Sequence, residues 1–111
     1  MKHAIRLDPL YPLRYRFYLG LSLFLDGQNE EAIEPLREAA HRLPGFPAGY
    51  EMLAAVAAAT GRDDEARDAA VRVLTVKPDF TITGFLRFMR LERQEDSVRL
   101  AHALTKAGFS R

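Results

Sequence analysis

Apolar and small residues follow a helical rhythm along most of this chain, and the rhythm repeats. Leu19 returns as Leu53, Gly27 as Gly61, Glu31 as Glu65, Ala32 as Ala66 and Pro44 as Pro78, each 34 residues further on and without a gap. A fixed period of ~20–50 residues marks a repeat architecture. Inside each period an apolar run leads to a Gly, then to an acidic cluster, an Ala-rich amphipathic run and a Pro. That order predicts a helix, a tight turn, a second helix and a stop.

The first helix of the first unit is expected over Leu13–Asp26. Phe17, Leu19, Leu21, Leu23, Phe24 and Leu25, with Tyr15 and Tyr18, make it apolar on more than one face. Such a helix has to be covered on both sides. Gly20 lets a neighbouring helix approach closely, against about 1 kcal/mol of helix propensity, and Gly27 supplies the turn. The second helix is expected over Glu30–Arg42, with Asn29 as its N-cap. Glu30, Glu31 and Glu34 sit toward the positive end of its dipole, His41 and Arg42 at the negative end. Ala32, Leu36, Ala39 and Ala40 form its buried seam. Pro35 removes the bond to the Glu31 carbonyl, which predicts either a kink or a late start. The second unit repeats the scheme. A helix over Ala48–Thr60 turns Tyr50, Leu53, Ala54 and Ala57 inward. One over Asp64–Lys77 follows, capped by Asp63, with Ala66, Ala70, Val73 and Leu74 as its seam.

After Phe80 the repeat is lost. Either Thr81 or Thr83 caps a helix over Gly84–Leu91, whose apolar set is Phe85, Leu86, Phe88, Met89 and Leu91. A last helix is expected over Gln94–Lys106, with Val98, Leu100, Ala101 and Leu104 on its apolar side and Gly108 just beyond it. Terminal units of a stacked array must close the core and so depart from the repeat; this hairpin has that place. At the other end, the run from Ala4 to Pro9 parallels the run from Val73 to Pro78. The parallel reads as the end of an earlier repeat's second helix, hence a chain cut from a longer protein. A native N-terminal helix is the alternative. The expected organisation is all-α: a helix end and linker at 1–12, repeats at 13–46 and 47–80, and a capping hairpin at 81–111.

Composition narrows the function classes. The 111 residues suffice for one domain. A net charge of +1 gives no bulk attraction to nucleic acid or to an anionic membrane. No apolar run is long or continuous enough for a membrane span, and no signal-peptide core follows Met1. Without Cys there is no disulfide and no thiolate metal site, which fits a cytoplasmic protein. His3, His41 and His102 lie far apart, outside metal-ligand spacing. Ser22, Ser97 and Ser110 lack the Gly-x-Ser-x-Gly setting of an elbow nucleophile, and there is no Gly-rich phosphate loop. Asp63-Asp64-Glu65 suits a helix start better than a cation site. The expectation is a segment that is not an enzyme and holds neither cofactor nor metal.

The two central units resemble tetratricopeptide repeats. The second carries Tyr50, Leu53, Ala54, Gly61, Ala66, Ala70, Val73 and Pro78 at the family's positions; the first carries Arg16, Leu19, Gly20, Gly27, Ala32, Leu36, Ala39 and Pro44. Arg16 departs where an aromatic is usual, and Val73 replaces an Ala. The resemblance covers about two thirds of the chain and implies a superhelical stack of helical hairpins that binds proteins. A narrower resemblance is to the C-terminal repeat region of bacterial class III adenylate/guanylate cyclases. The run from Leu7 to Phe17, the run from Pro78 to Ile82, and the closing Lys106-Ala107-Gly108-Phe109 carry it. It implies a regulatory or self-association segment of a larger signalling protein; a stand-alone adaptor is the alternative.

In such repeats the first helix of each unit lines a concave binding face. Here that places Arg14, Phe17, Leu21 and Phe24 on the face from one unit, and Ala48, Glu51, Ala55 and Ala58 from the next. Family members that grip carboxylate-ended peptides use a clamp of Lys, Asn and Arg. Phe17, Leu21, Glu51 and Ala55 stand in those places, so the clamp is absent. An apolar, partly acidic groove suits an apolar helix or an extended segment. The same aromatics are alternatively covered by a preceding repeat, or by a second copy of the chain. Tyr15, Phe17, Tyr18, Leu21 and Phe24, or else Phe85, Phe88 and Met89, would make that homo-oligomer contact. The rival function is nucleic-acid binding through Arg87, Arg90, Arg93 and Arg99, which Glu92, Glu95 and Asp96 offset.

Overall fold

The computed structural model describes residues 11–111, and these are all-helical. The expectations for residues 1–10, the early helix end and His3 among them, lie outside the described residues. In chain order the helices are α1 (Tyr11–Leu25), α2 (Asn29–Arg42), α3 (Pro47–Ala59), α4 (Asp63–Val76), α5 (Ile82–Met89) and α6 (Gln94–Ala107).

The 34-residue repeat of the sequence is a repeat of the backbone. At the first turn Gln28 N donates to Leu23 O (2.8 Å) and Ala32 N to Gln28 O (3.2 Å). At the second, Arg62 N donates to Ala57 O (2.8 Å) and Ala66 N to Arg62 O (2.9 Å). The exits match too: Leu43 N to Ala39 O and Lys77 N to Val73 O, Phe46 N to Leu43 O and Phe80 N to Lys77 O. Gly27 and Gly61 hold nearly the same left-handed φ, 83° and 81°, which L side chains adopt only at a cost.

These turns correct two capping expectations. Neither Asn29 nor Asp63 is an N-cap; both are the first residues of their helices, and the preceding Gln28 and Arg62 make no side-chain cap bond. The turn is too short for a separate cap. One residue closes one helix with its N–H and opens the next with its carbonyl. Acidic side chains in the first turn, Glu30 and Glu31 in α2 and Asp63, Asp64 and Glu65 in α4, face the positive helix end instead. Thr81, by contrast, is a side-chain cap, its Oγ1 accepting from Gly84 N at 3.1 Å, so α5 begins at Ile82. Helix α1 takes in Tyr11 and Pro12, assigned to a linker above; a Pro in the first turn loses no helix bond. Helix α2 runs through Pro35 and does not start late.

Helix α1 pairs with α2, α3 with α4, and α2 stacks on α3. Between the hairpins Arg37 makes a two-pronged ion pair with Glu65, Nε to Oε2 at 2.7 Å and Nη2 to Oε1 at 2.9 Å. Arg62 reaches Glu30 at 3.0 Å. Helix α3 is the centre. Every residue from Ala48 to Ala58 is buried, because α1, α2, α4 and α6 all pack on it. Its alanines and Gly49 make such crowding possible: a Cβ on Gly49 would stand 3.1 Å from the Ala40 backbone.

Two seam expectations fail. Leu74 and Val98 are exposed. Helix α4 buries Ala66, Ala69, Ala70 and Val73; Leu74 is turned about 100° from Val73 at 3.6 residues per turn. Helix α6 buries Leu100, Ala103 and Leu104, and Val98, two residues before Leu100, points the other way. Nor is α1 covered all round, since Tyr15 and Tyr18 stay 54% and 56% exposed. Among the described residues no helix is long and apolar enough to cross a membrane.

Candidate partner-binding face

The face formed by α1 and α3 is not an open groove. Of the residues expected to line it, Phe17, Phe24, Glu51 and Ala55 are buried, Leu21 is half-buried, and only Arg14 is exposed. Ala48 and Ala58 are buried as well. The chain's own last helix explains the difference at one end. Helix α6 lies along α3, with Leu100 and Leu104 fully buried. Its Arg99 Nη2 donates to the Phe24 carbonyl at 2.8 Å, and the guanidinium stands 4.4 Å over the Phe24 ring. Phe17 is met edge-on by Phe46, ring centroids 5.0 Å apart. An apolar stripe of this size is covered by the nearest apolar helix face available.

The other end of the face stays open. A cavity of about 440 Å³ lies between α3, the 77–81 turn and α5. Glu51 is at its floor and Lys77 and Asp79 at its polar side, with Phe46, Phe80, Phe85 and Phe88 as walls. Phe80 and Phe85 sit 5.8 Å apart, Phe85 and Phe88 6.5 Å. Phe88 is 71% exposed, so one wall is a lip.

Glu51 is the only buried charged residue among the described ones, 2% exposed. Its Oε2 accepts from Lys77 Nζ at 3.4 Å, longer than a good charge-assisted bond. Burial pushes the Glu51 carboxyl above the usual carboxylate range, and Lys77 offsets only part of that. The Lys77 side chain is half-exposed and its Nζ also lies 5.7 Å from the Phe80 ring centre.

The first N–H groups of α5, which also border the cavity, are occupied. Ile82 N donates to Ser110 O (2.9 Å), Thr83 N to Arg111 O (3.4 Å), Gly84 N to Thr81 Oγ1, and Phe85 N to Thr81 O (3.1 Å). The helix start therefore offers no free donors to an anion.

Glu51 was legible in the sequence as a residue of this face; the phenylalanines around it were not. Phe85 and Phe88 read only as an association patch, because nothing local says that α5 folds back beside α3. Two of the four arginines proposed for nucleic acid have partners within the chain. Arg99 is turned inward on Phe24, and Arg93 pairs with Glu95 at 3.3 Å. Among the described residues no group of three or more His, Asp or Glu could hold a metal ion. Compared with family models, curated proteins and solved structures, the chain matches none of them.

Proposed function

We propose that this chain is a tetratricopeptide-type module that binds a protein segment on its concave face. The observation that carries the reading is the backbone repeat: hydrogen bonds around Gly27, Gly61, Pro44 and Pro78 recur at the 34-residue offset. A stack of equivalent hairpins builds one continuous face from the first helix of each. On this face α6 covers one end, and the Glu51 cavity lies toward the other. The resemblance to cyclase repeat regions extends the proposal to a regulatory segment of a larger signalling protein.

Panning a random peptide display library against the chain tests the reading. Expected are enriched peptides whose binding is lost when Phe88 is replaced by Glu, a change at an exposed position that leaves helicity intact. Enrichment of no sequence, or enrichment indifferent to that substitution, overturns it.

A second reading is self-association, favoured by the exposure of Tyr15 and Tyr18 side by side on α1. Large exposed apolar patches mark association sites, and twofold pairing is the commonest closed solution. Sedimentation at micromolar concentration should then show a dimer that Tyr18→Glu dissociates; a monomer throughout that range removes this reading.

A further inference from the structure

We propose that the Glu51 cavity recognises an arginine side chain presented by the partner segment. The inference rests on the concave-face reading above and names the chemistry it selects.

Charge comes first. The cavity's charged groups are Glu51, Lys77 and Asp79, which sum to one negative charge, so a monocation completes it. The negative group at the floor is the buried one; the positive group is half-exposed and held by a 3.4 Å contact to Glu51 and a 5.7 Å approach to the Phe80 ring. A guest cation with a shorter, straighter bond to Glu51 displaces Lys77, whose flexible stem moves into solvent at little cost. The walls agree with the floor. Aromatic faces attract cations, and Phe80, Phe85 and Phe88 line the same cavity as the carboxylate. An anion finds the opposite: a buried carboxylate, no free helix-start donors, and one lysine already bound.

Arginine fits better than lysine. Its planar guanidinium stacks on an aromatic ring while donating two parallel bonds to a carboxylate. The chain itself places arginine over aromatic rings elsewhere. Arg99 of α6 lays its guanidinium on Phe24 and hydrogen-bonds the backbone beside it; Arg72 stands 5.4 Å over the Tyr50 ring. At the far end of the same face a helix of this chain is thus anchored by arginine on phenylalanine. The Glu51 cavity offers the same aromatic chemistry and adds the carboxylate. At about 440 Å³ it is within the usual range for a small-ligand pocket and admits a long side chain with the backbone that carries it.

The test uses three capped pentapeptides on the full chain, Ala-Ala-X-Ala-Ala with X as Arg, Ala or Asp, titrated while ring and amide NMR signals of Phe80, Phe85 and Phe88 are followed. The Arg peptide is expected to shift these signals saturably and the other two are not. Glu51→Gln, nearly isosteric, should weaken the Arg peptide about tenfold or more, the loss of one bond to a charged acceptor. Phe88→Ala, at an exposed position, should weaken it several-fold and keeps the test open if the Gln variant misfolds. No shift with the Arg peptide, equal binding by Glu51→Gln or, where that variant misfolds, by Phe88→Ala, or preference for the Asp peptide overturns the proposal. Display selection separates this from the wider reading: enriched peptides without arginine sink the arginine site alone, whereas no enrichment sinks both.

Discussion

Arg99 and Phe24, 75 residues apart in the chain, form the contact that fastens α6 across the first hairpin: one hydrogen bond of 2.8 Å to the backbone and a guanidinium 4.4 Å over the ring. Arg99→Ala should therefore loosen α6 more than any other element. The expected loss is about 1–2 kcal/mol: the bond to the Phe24 carbonyl, a longer one to Asn29 Oδ1 at 3.4 Å, and one cation–π contact at a partly exposed site. Amide hydrogen exchange should speed up over Gln94–Ala107 before it does over Asn29–Arg42. Arg99→Lys should recover little, because an ammonium cannot stack and donate in the same plane. Equal exchange in α2 and α6 would show that the contact holds nothing.

Gly20 and Leu36 touch where α1 crosses α2. A Cβ on Gly20 would lie 2.4 Å from Leu36 Cγ and 2.7 Å from its Cδ2, and Leu36 is fully buried. Gly20→Ala should cost about 1–3 kcal/mol by overpacking, in spite of its better helix propensity. Leu36→Ala alone should cost about 2–5 kcal/mol. The double variant should be more stable than the sum of the two losses implies, since each relieves the other. Additive losses in urea unfolding would show that the helices separate freely.

Leu53 lies 1% exposed in α3, the helix on which α1, α2, α4 and α6 pack. Leu53→Ala should cost about 2–5 kcal/mol, and a loss below about 1 kcal/mol in denaturant unfolding would mean that the central helix repacks around the cavity.

The acidic limb of the stability profile should have two parts of opposite sign. Glu51, facing Lys77 and Asp79, has its carboxyl raised by burial. The native state thus binds its proton before the unfolded chain does. As pH falls through the raised value toward the ordinary one, about 4.3, stability increases. Glu65 is the reverse: the hydrogen bonds from Arg37 lower its carboxyl. Its contribution is present above the ordinary value and is lost as pH falls through the lowered one. Glu51→Gln should abolish the first part and leave the second, and should be no less stable than the parent near neutral pH, because it removes a buried charge. Urea midpoints taken across the acidic range, with identical pH slopes in both proteins, would contradict this.

Glycine, proline and alanine spacing made the paired hairpins legible, because each of those residues is tied to local backbone geometry: Gly27 and Gly61 to positive φ, Ala54 and Ala57 to close helix approach. Capping read less well. Asn29 and Asp63 look like caps by type, yet the turns before them leave no residue with the extended backbone a cap needs. The functional face read least well. Phe17, Phe24 and Ala55 share a helical face as expected, but which surface α6 covers depends on where residues 81–93 turn the chain back, and no local pattern encodes that. Glu51 kept its place on the face, and only the fold shows that Phe80, Phe85 and Phe88 stand round it.

Docking of α6 on α3 and on Phe24 has a topological consequence. In an open stack each hairpin touches only its sequence neighbours, and the ends can melt one at a time. Here the last helix packs on the second hairpin and reaches back to the first through Arg99, which acts as a clasp. The end of α1 that carries Phe24 cannot part from α6 without undoing the clasp. Heating should accordingly melt the described hairpins in one transition rather than in steps, and an Arg99→Ala chain, with the clasp weakened, is where stepwise melting should begin to show.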